Sequence, residues 1–211
     1  MIERLRSFVV VLLAVPFWAC ATALAQAPGE PETVAAEGPY VHSATGMTFP
    51  LEVAGFNRDR ILRYDKKGLD VSAGYNSSDL IRPVAATVYI FPAPSLISIG
   101  SSRETVEPAR ALLTQRGFDL VKAAIVDAHP DAKLVEEGEA SLTQGGKTYR
   151  GKRAAFEFRE FLATARSEVY VFYYVGEKWT IKYRFTYPKD ADVGKQIEAF
   201  MMALQWPALR P

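Results

Sequence analysis

Thiols are nearly missing from this chain: Cys20 is the single cysteine among 211 residues. If the first 25 residues are removed, none remains. A disulfide framework, a thiol nucleophile and a thiolate metal site are then all excluded. Histidine is almost as scarce. His42 and His129 are the two, and they lack the i, i+4 spacing that a helical metal site uses. No serine or threonine sits in a nucleophile-elbow pattern. Neither sign of charge dominates. There are 25 Lys and Arg against 24 Asp and Glu, and removing Arg4, Arg6 and Glu3 leaves 23 of each. A neutral chain has no general attraction for nucleic acid or for anionic lipid, so any charged surface must be a local patch.

Long apolar runs are confined to the start. Arg4 and Arg6 precede an uncharged run from Phe8 to Ala19, and Ala23-Leu24-Ala25 has the small-x-small pattern of a signal-peptidase site. Residues 1–25 are expected to be a signal peptide, which places the mature protein in the periplasm or outside the cell. Two alternatives stand beside cleavage. One is an uncleaved membrane anchor, although Pro16 and Thr22 interrupt a run that only just reaches the ~18 residues of a span. The other is lipid attachment at Cys20, where Trp18 fits the preceding small-residue positions poorly.

Residues 26–44 are rich in Pro, Ala and Glu and are expected to form a flexible leader. Residues 45–211 are expected to form one α+β domain. The mature length is enough to bury ~70% of the unfolded surface without disulfides. Period-two patterning predicts strands over Met47–Val53, Phe56–Tyr64, Leu69–Tyr75 and Ala85–Phe91. Helical spacing then takes over at Leu112, Leu113, Leu120, Val121, Ala124, Ile125 and Ala128. Ser102 or Thr105 is a candidate cap, Pro108 fits only within the first turn, and Gly117 interrupts or loosens the helix. Strands over 133–143 and 147–158 join at Gly145-Gly146, a hairpin signal rather than a phosphate cradle. A second hairpin joins 168–175 to 179–187 around Gly176-Glu177. A type II′ turn there sets Tyr174 opposite Trp179, Phe172 opposite Ile181 and Tyr170 opposite Tyr183. Tyr173 then falls on the solvent face beside Lys182. A three-residue turn would place Val171 and Tyr173 on the inner face instead. A final helix is expected from Asp190, as cap, to Leu204, with Val193, Ile197, Phe200, Met201 and Leu204 on one face. The expected fold is therefore α+β: a mostly antiparallel sheet of about eight strands, in the order ββββαββββα, with two packed amphipathic helices.

This pattern resembles the PsbP-like fold. The likeness rests on Gly46-Met47-Thr48-Phe49-Pro50, on the late hairpin from Tyr170 to Trp179, and on the closing helix with Phe200. It covers about residues 45–206. The resemblance implies an α/β sandwich with binding or assembly roles and usually no catalysis, and it carries over no functional residue.

Several groups could carry chemistry. His129, between Asp127 and Asp131, reads either as a surface residue whose charged form the helix dipole favours or as a base with its orienter. His42 lies in or beside the leader, where fixed geometry is not expected. Asp190-Ala191-Asp192 lacks the glycine and distal Glu of a calcium loop, so capping is its expected role. Arg58, Arg60, Arg63, Lys66 and Lys67, and then Lys147, Arg150, Lys152 and Arg153, could meet an anionic polysaccharide or acidic partner, or could guard sheet edges. The aromatic cluster of Tyr170, Phe172, Tyr173, Tyr174, Trp179, Tyr183, Phe185 and Tyr187 reads as core beneath the final helix, or as a platform for an apolar ligand or sugar. Thr180, Lys182, Arg184 and Thr186 alternate with it as the expected wet face. Asn76-Ser77-Ser78 matches a glycosylation acceptor in a eukaryotic secretory route. The sequence thus points to no catalytic, cofactor-binding or metal-binding residue. It points to a non-catalytic extracytoplasmic binding or accessory module, with an unknown envelope protein or small ligand as partner and no nucleic acid. A hydrolase with a site hidden from linear sequence, or a membrane-anchored envelope protein, is the alternative.

Overall fold

Alternation of period two governs the chain on both sides of one long helix, and the computed structural model shows how those strands pair. It describes residues 30–95, 103–160 and 162–206. The expected signal peptide, Cys20 and the candidate cap Ser102 lie outside the described residues.

Seven strands precede the first helix: β1 (Glu32–Thr33), β2 (Tyr40–Val41), β3 (Thr48–Phe49), β4 (Glu52–Val53), β5 (Phe56–Arg63), β6 (Val71–Ser77) and β7 (Ala85–Pro92). Helix α1 (Arg103–Ala128) follows, then β8 (Lys133–Gln144), β9 (Lys147–Glu160), β10 (Ala163–Val175), β11 (Trp179–Pro188) and α2 (Gly194–Ala203). The second half has the expected four strands and a helix. The first half has seven strands instead of four, because the run Met47–Val53 breaks at Pro50 into β3 and β4 and because two strands form upstream of it.

Nine strands make one sheet in the order β1-β5-β6-β7-β11-β10-β9-β8, with β4 also on β5, while β2 and β3 form a separate pair. All neighbours are antiparallel. Two meanders, β5–β7 and β8–β11, are thus joined edge to edge by β7 and β11, with Tyr89 opposite Lys182 and Ile90 opposite Ile181. Tight turns close the local pairs. Ala54 and Gly55 both have positive φ, as do Gly145 and Gly146, the geometry of type I′ hairpins.

Residues 30–44, expected as a leader, belong to the domain. Glu32 and Thr33 pair with Arg63 and Leu62, and Tyr40 and Val41 pair with Phe49 and Thr48. Arg58 fastens the segment: its guanidinium donates to the carbonyls of Phe49 (2.6 Å), Ala36 (2.7 Å) and Gly38 (2.8 Å). A Pro- and Glu-rich composition conceals this, because the segment is held through its backbone and by two isolated apolar contacts, Val34 and Tyr40, rather than by a continuous apolar face.

The sheet has a core on each face. Helix α2 covers the larger one. Phe200 is fully buried and meets Phe56, Tyr75 and Phe185 edge-on at 4.8, 5.2 and 5.7 Å. Trp206 donates its indole N–H to the Tyr183 hydroxyl at 2.6 Å. Gln144, at the end of β8, donates to the carbonyls of Met201 (2.9 Å) and Leu204 (3.1 Å), filling acceptors that a helix end leaves open. The aromatic cluster is therefore mainly core under α2, as one of the two readings has it. The helix starts at Gly194 rather than Asp190. Val193 occupies the N-cap position, without a side-chain cap; it is buried, so packing rather than capping sets the start.

On the opposite face α1 covers a smaller core of Phe118, Ile125, Ala154, Phe156, Val169 and Val171. Pro108 is the sixth residue of this helix, past the first turn in which its missing N–H would cost nothing. Gly117 does not break the helix. It makes room, since a Cβ there would stand 2.8 Å from the Tyr173 hydroxyl.

The hairpin that carries Tyr173 changes register only beyond Phe172. Tyr170 opposes Tyr183 and Phe172 opposes Ile181 as expected, but Val175, not Tyr174, opposes Trp179, after a bulge. Tyr174 takes φ 56°, and the turn residues Gly176 and Glu177 take 57° and 65°, a type I′ rather than a type II′ pattern. Tyr173 stays on the side of Val171 and Lys182, as the expected register has it, but α1 covers that side, so the ring packs with the α1 core instead of facing solvent.

Candidate functional site

Strand β11 sends Ile181, Tyr183 and Phe185 toward α2 and Thr180, Lys182 and Arg184 to the other side, as strand alternation requires. The second set was expected to be wet. Thr180 is 0% exposed and Lys182 8%. Burial of a lysine without a partner is rare, and this one is the centre of the candidate site.

Cross-strand pairing assembles the surroundings. Ser72 of β6, Tyr89 of β7 and Lys182 of β11 fall in one row, with Gly74, Thr87 and Arg184 in the next. Asp70, just ahead of β6, shares the parity of Ser72. Lys182 Nζ sits 3.8 Å from the Tyr89 ring centroid, a cation–π contact. Tyr64 extends the aromatic wall, 6.5 Å from Tyr89 ring to ring, with its hydroxyl 3.0 Å from Ser72 Oγ. No described residue gives Lys182 Nζ a hydrogen bond or an ion pair within 4.0 Å. Asp70 Oδ1 and Thr180 Oγ1 are likewise buried without a hydrogen-bond partner.

The electrostatics follow from burial. Desolvation, reinforced by the charge of Arg184 and opposed by Asp70, pulls the Lys182 ammonium down to a pKa of about 8. Desolvation also pushes Asp70 up to about 6, with Lys182 opposing and Asp65 assisting. At neutral pH both groups are charged, yet they do not touch.

Arg184 is engaged beside them. Its Nε donates to Ser167 Oγ at 3.1 Å and its Nη2 lies 3.2 Å from His129 Nε2. A guanidinium only donates, so Nε2 accepts and the imidazole proton resides on Nδ1. The ring stacks on Phe158 at 3.7 Å. Burial, then the charge of Arg184, lowers the His129 pKa, with Asp131 opposing. The expected dipole-favoured imidazolium is thereby corrected: desolvation and a neighbouring guanidinium outweigh the helix end. The same hydrogen bond occupies the lone pair that a general base would use.

Elsewhere the candidates are structural. His42 is fully buried, not in a loose leader. Its Nδ1 is 2.8 Å from Thr45 Oγ1 and its ring meets Trp179 edge-on at 5.3 Å, and burial lowers its pKa. The basic groups are largely committed: Arg58 to carbonyls, Arg60 to Asp59, Arg63 to Glu32, Lys152 to Glu139 and Arg153 to Glu136. Glu168 accepts from Tyr170 (2.6 Å), Tyr187 (2.5 Å) and Arg166 (3.1 Å). Burial alone would raise its pKa, but these hydrogen bonds hold it below the usual value.

Sequence reasoning did not single out Asp70 or Tyr89 and took Thr180 and Lys182 for solvated residues. The one local signal was a Thr-x-Lys-x-Arg run whose strand neighbours, Tyr89 and Ser72, are far away in sequence. Compared with known proteins, the chain matches no family model and no curated protein.

Proposed function

We propose that this protein is a non-catalytic binding or accessory module of an extracytoplasmic compartment, akin to PsbP-like proteins, and that it takes its ligand on the α1 face at Lys182. One observation carries the reading: Asp70 Oδ1 and Thr180 Oγ1 are buried without hydrogen-bond partners on the face where Lys182, a buried lysine, has a ring contact with Tyr89 and no described ion pair. Leaving a buried neutral group unsatisfied costs about 1–3 kcal/mol, and a charged group more. Stability lost in this way is typical of sites kept for function rather than for folding. The placement of Arg184 and His129 against each other supports binding over base catalysis.

The test is native mass spectrometry on the protein purified under mild conditions from the envelope of its host. A stoichiometric bound small molecule or protein partner is expected, on a chain that begins near Gln26. A bare chain with no companion, or one retained in the cytoplasm, would refute the proposal.

A further inference from the structure

We infer that the α1-face site holds a small organic acid, with Lys182 anchoring its oxyanion and Thr180 and Asp70 reading a hydroxyl or amine on the same ligand. This deepens the binding reading above and rests on it.

Hydrogen-bond accounting leads there. An ammonium has three N–H donors, and the Tyr89 ring face at 3.8 Å takes one direction. The remaining donors meet no described acceptor, so the missing partner is an acceptor, most favourably a charged one. Asp70 Oδ1 is a buried acceptor that lacks a donor, and Thr180 Oγ1 can serve as either. Ser72 Oγ, which could have filled a gap, is already within hydrogen-bond distance of Tyr64. The ligand must therefore both accept and donate.

Sheet geometry sets its size. Thr180 and Lys182 are alternate residues of one strand, about 7 Å apart along it. Asp70 precedes β6, two strands from β11, so the separation across the sheet is about 10 Å. A carboxylate ligand of several heavy atoms spans such a separation once the side chains' own reach is counted. Tyr89 and Tyr64 set ring surface beside these groups. Arg184, held by Ser167 and His129, adds positive potential without needing to touch the ligand.

The probes are glycolate, acetate and inorganic phosphate, titrated calorimetrically into the full folded protein against chloride at matched ionic strength. Glycolate carries the acceptor and a donor, acetate the acceptor alone, and phosphate an oxyanion from an inorganic source. Glycolate is expected to bind at least several-fold more tightly than acetate. Lys182→Met and Lys182→Gln should each weaken glycolate at least tenfold, and Asp70→Asn should remove the preference over acetate. Circular dichroism and an unfolding curve for each variant establish that it is folded, and Lys182→Arg should retain binding within a few-fold. The inference is overturned if no probe exceeds chloride, if both Lys182 variants bind as the wild type does, or if phosphate alone binds. A native protein carrying an uncharged ligand that Lys182→Met still retains would sink this inference while leaving the binding reading intact.

Discussion

Replacing Lys182 with Met should make this protein more stable, the opposite of what deleting a buried side chain's interactions usually does. Lys182 is 8% exposed as a residue, and its ammonium has no described carboxylate in contact. Its pKa falls from 10.5 to about 8 on folding. Each pKa unit is worth about 1.4 kcal/mol, so holding the charge inside costs about 3 kcal/mol. The Tyr89 contact returns about 1–2 kcal/mol of this, leaving a net gain of about 1–2 kcal/mol for a methionine of similar reach. The pH dependence has a definite sign. Between pH 8 and 10.5 the unfolded lysine keeps its proton and the folded one has lost it, so stability rises with pH through that window and is lowest below pH 8. Buried tyrosines act in the opposite sense near pH 10, since burial raises the folded pKa of Tyr183 and Tyr64. The useful quantity is therefore the difference between wild type and variant, in which they cancel. Urea unfolding at pH 7, 8.5 and 9.5, followed by tryptophan fluorescence, measures it. The variant's advantage should be largest at pH 7 and shrink toward pH 9.5. A variant less stable than wild type at pH 7, with a gap independent of pH, would refute an unpaired buried ammonium.

Three further outcomes are expected. Gly117→Ala would normally strengthen a helix by about 1 kcal/mol, but here the new Cβ meets Tyr173 Oη at 2.8 Å. A net loss of about 1 kcal/mol by urea unfolding is expected, with Tyr173→Phe in the same chain recovering most of it; a simple gain from Gly117→Ala would show the ring to be elsewhere. Phe200→Ala removes the ring on which Phe56, Tyr75 and Phe185 converge and should cost about 3–5 kcal/mol; a loss below about 1 kcal/mol would mean that α2 does not cap this core. Arg58→Ala frees three carbonyl acceptors, and limited proteolysis should then cut within residues 30–44 well before the sheet, a sensitivity absent from the wild type.

Local order was legible in the chain itself. Alternation at Val71, Ala73 and Tyr75, paired glycines at 145–146 and the stripe Ile197, Phe200 and Met201 each depend on neighbours within a few residues, and each formed where expected. Boundaries slipped where a local preference met a stronger packing demand. Asp190 is a good cap, but buried Val193 decides where α2 starts. Tyr173 kept its expected side, with Val171 and Lys182, but α1 packs over that side and the ring meets a helix rather than water; the bulge resets only the pairing beyond Phe172. The site was the least legible part. Thr180, Lys182 and Arg184 were correctly assigned to one face, because side-chain direction is a property of the strand. Whether that face meets water depends on β7 docking against β11 and on what packs above, partners nearly a hundred residues distant. Sequence periodicity by itself determined which side chains point together; only the tertiary structure decided that a lysine and an aspartate would be sealed in on the same side without touching, because desolvation is imposed by the whole fold.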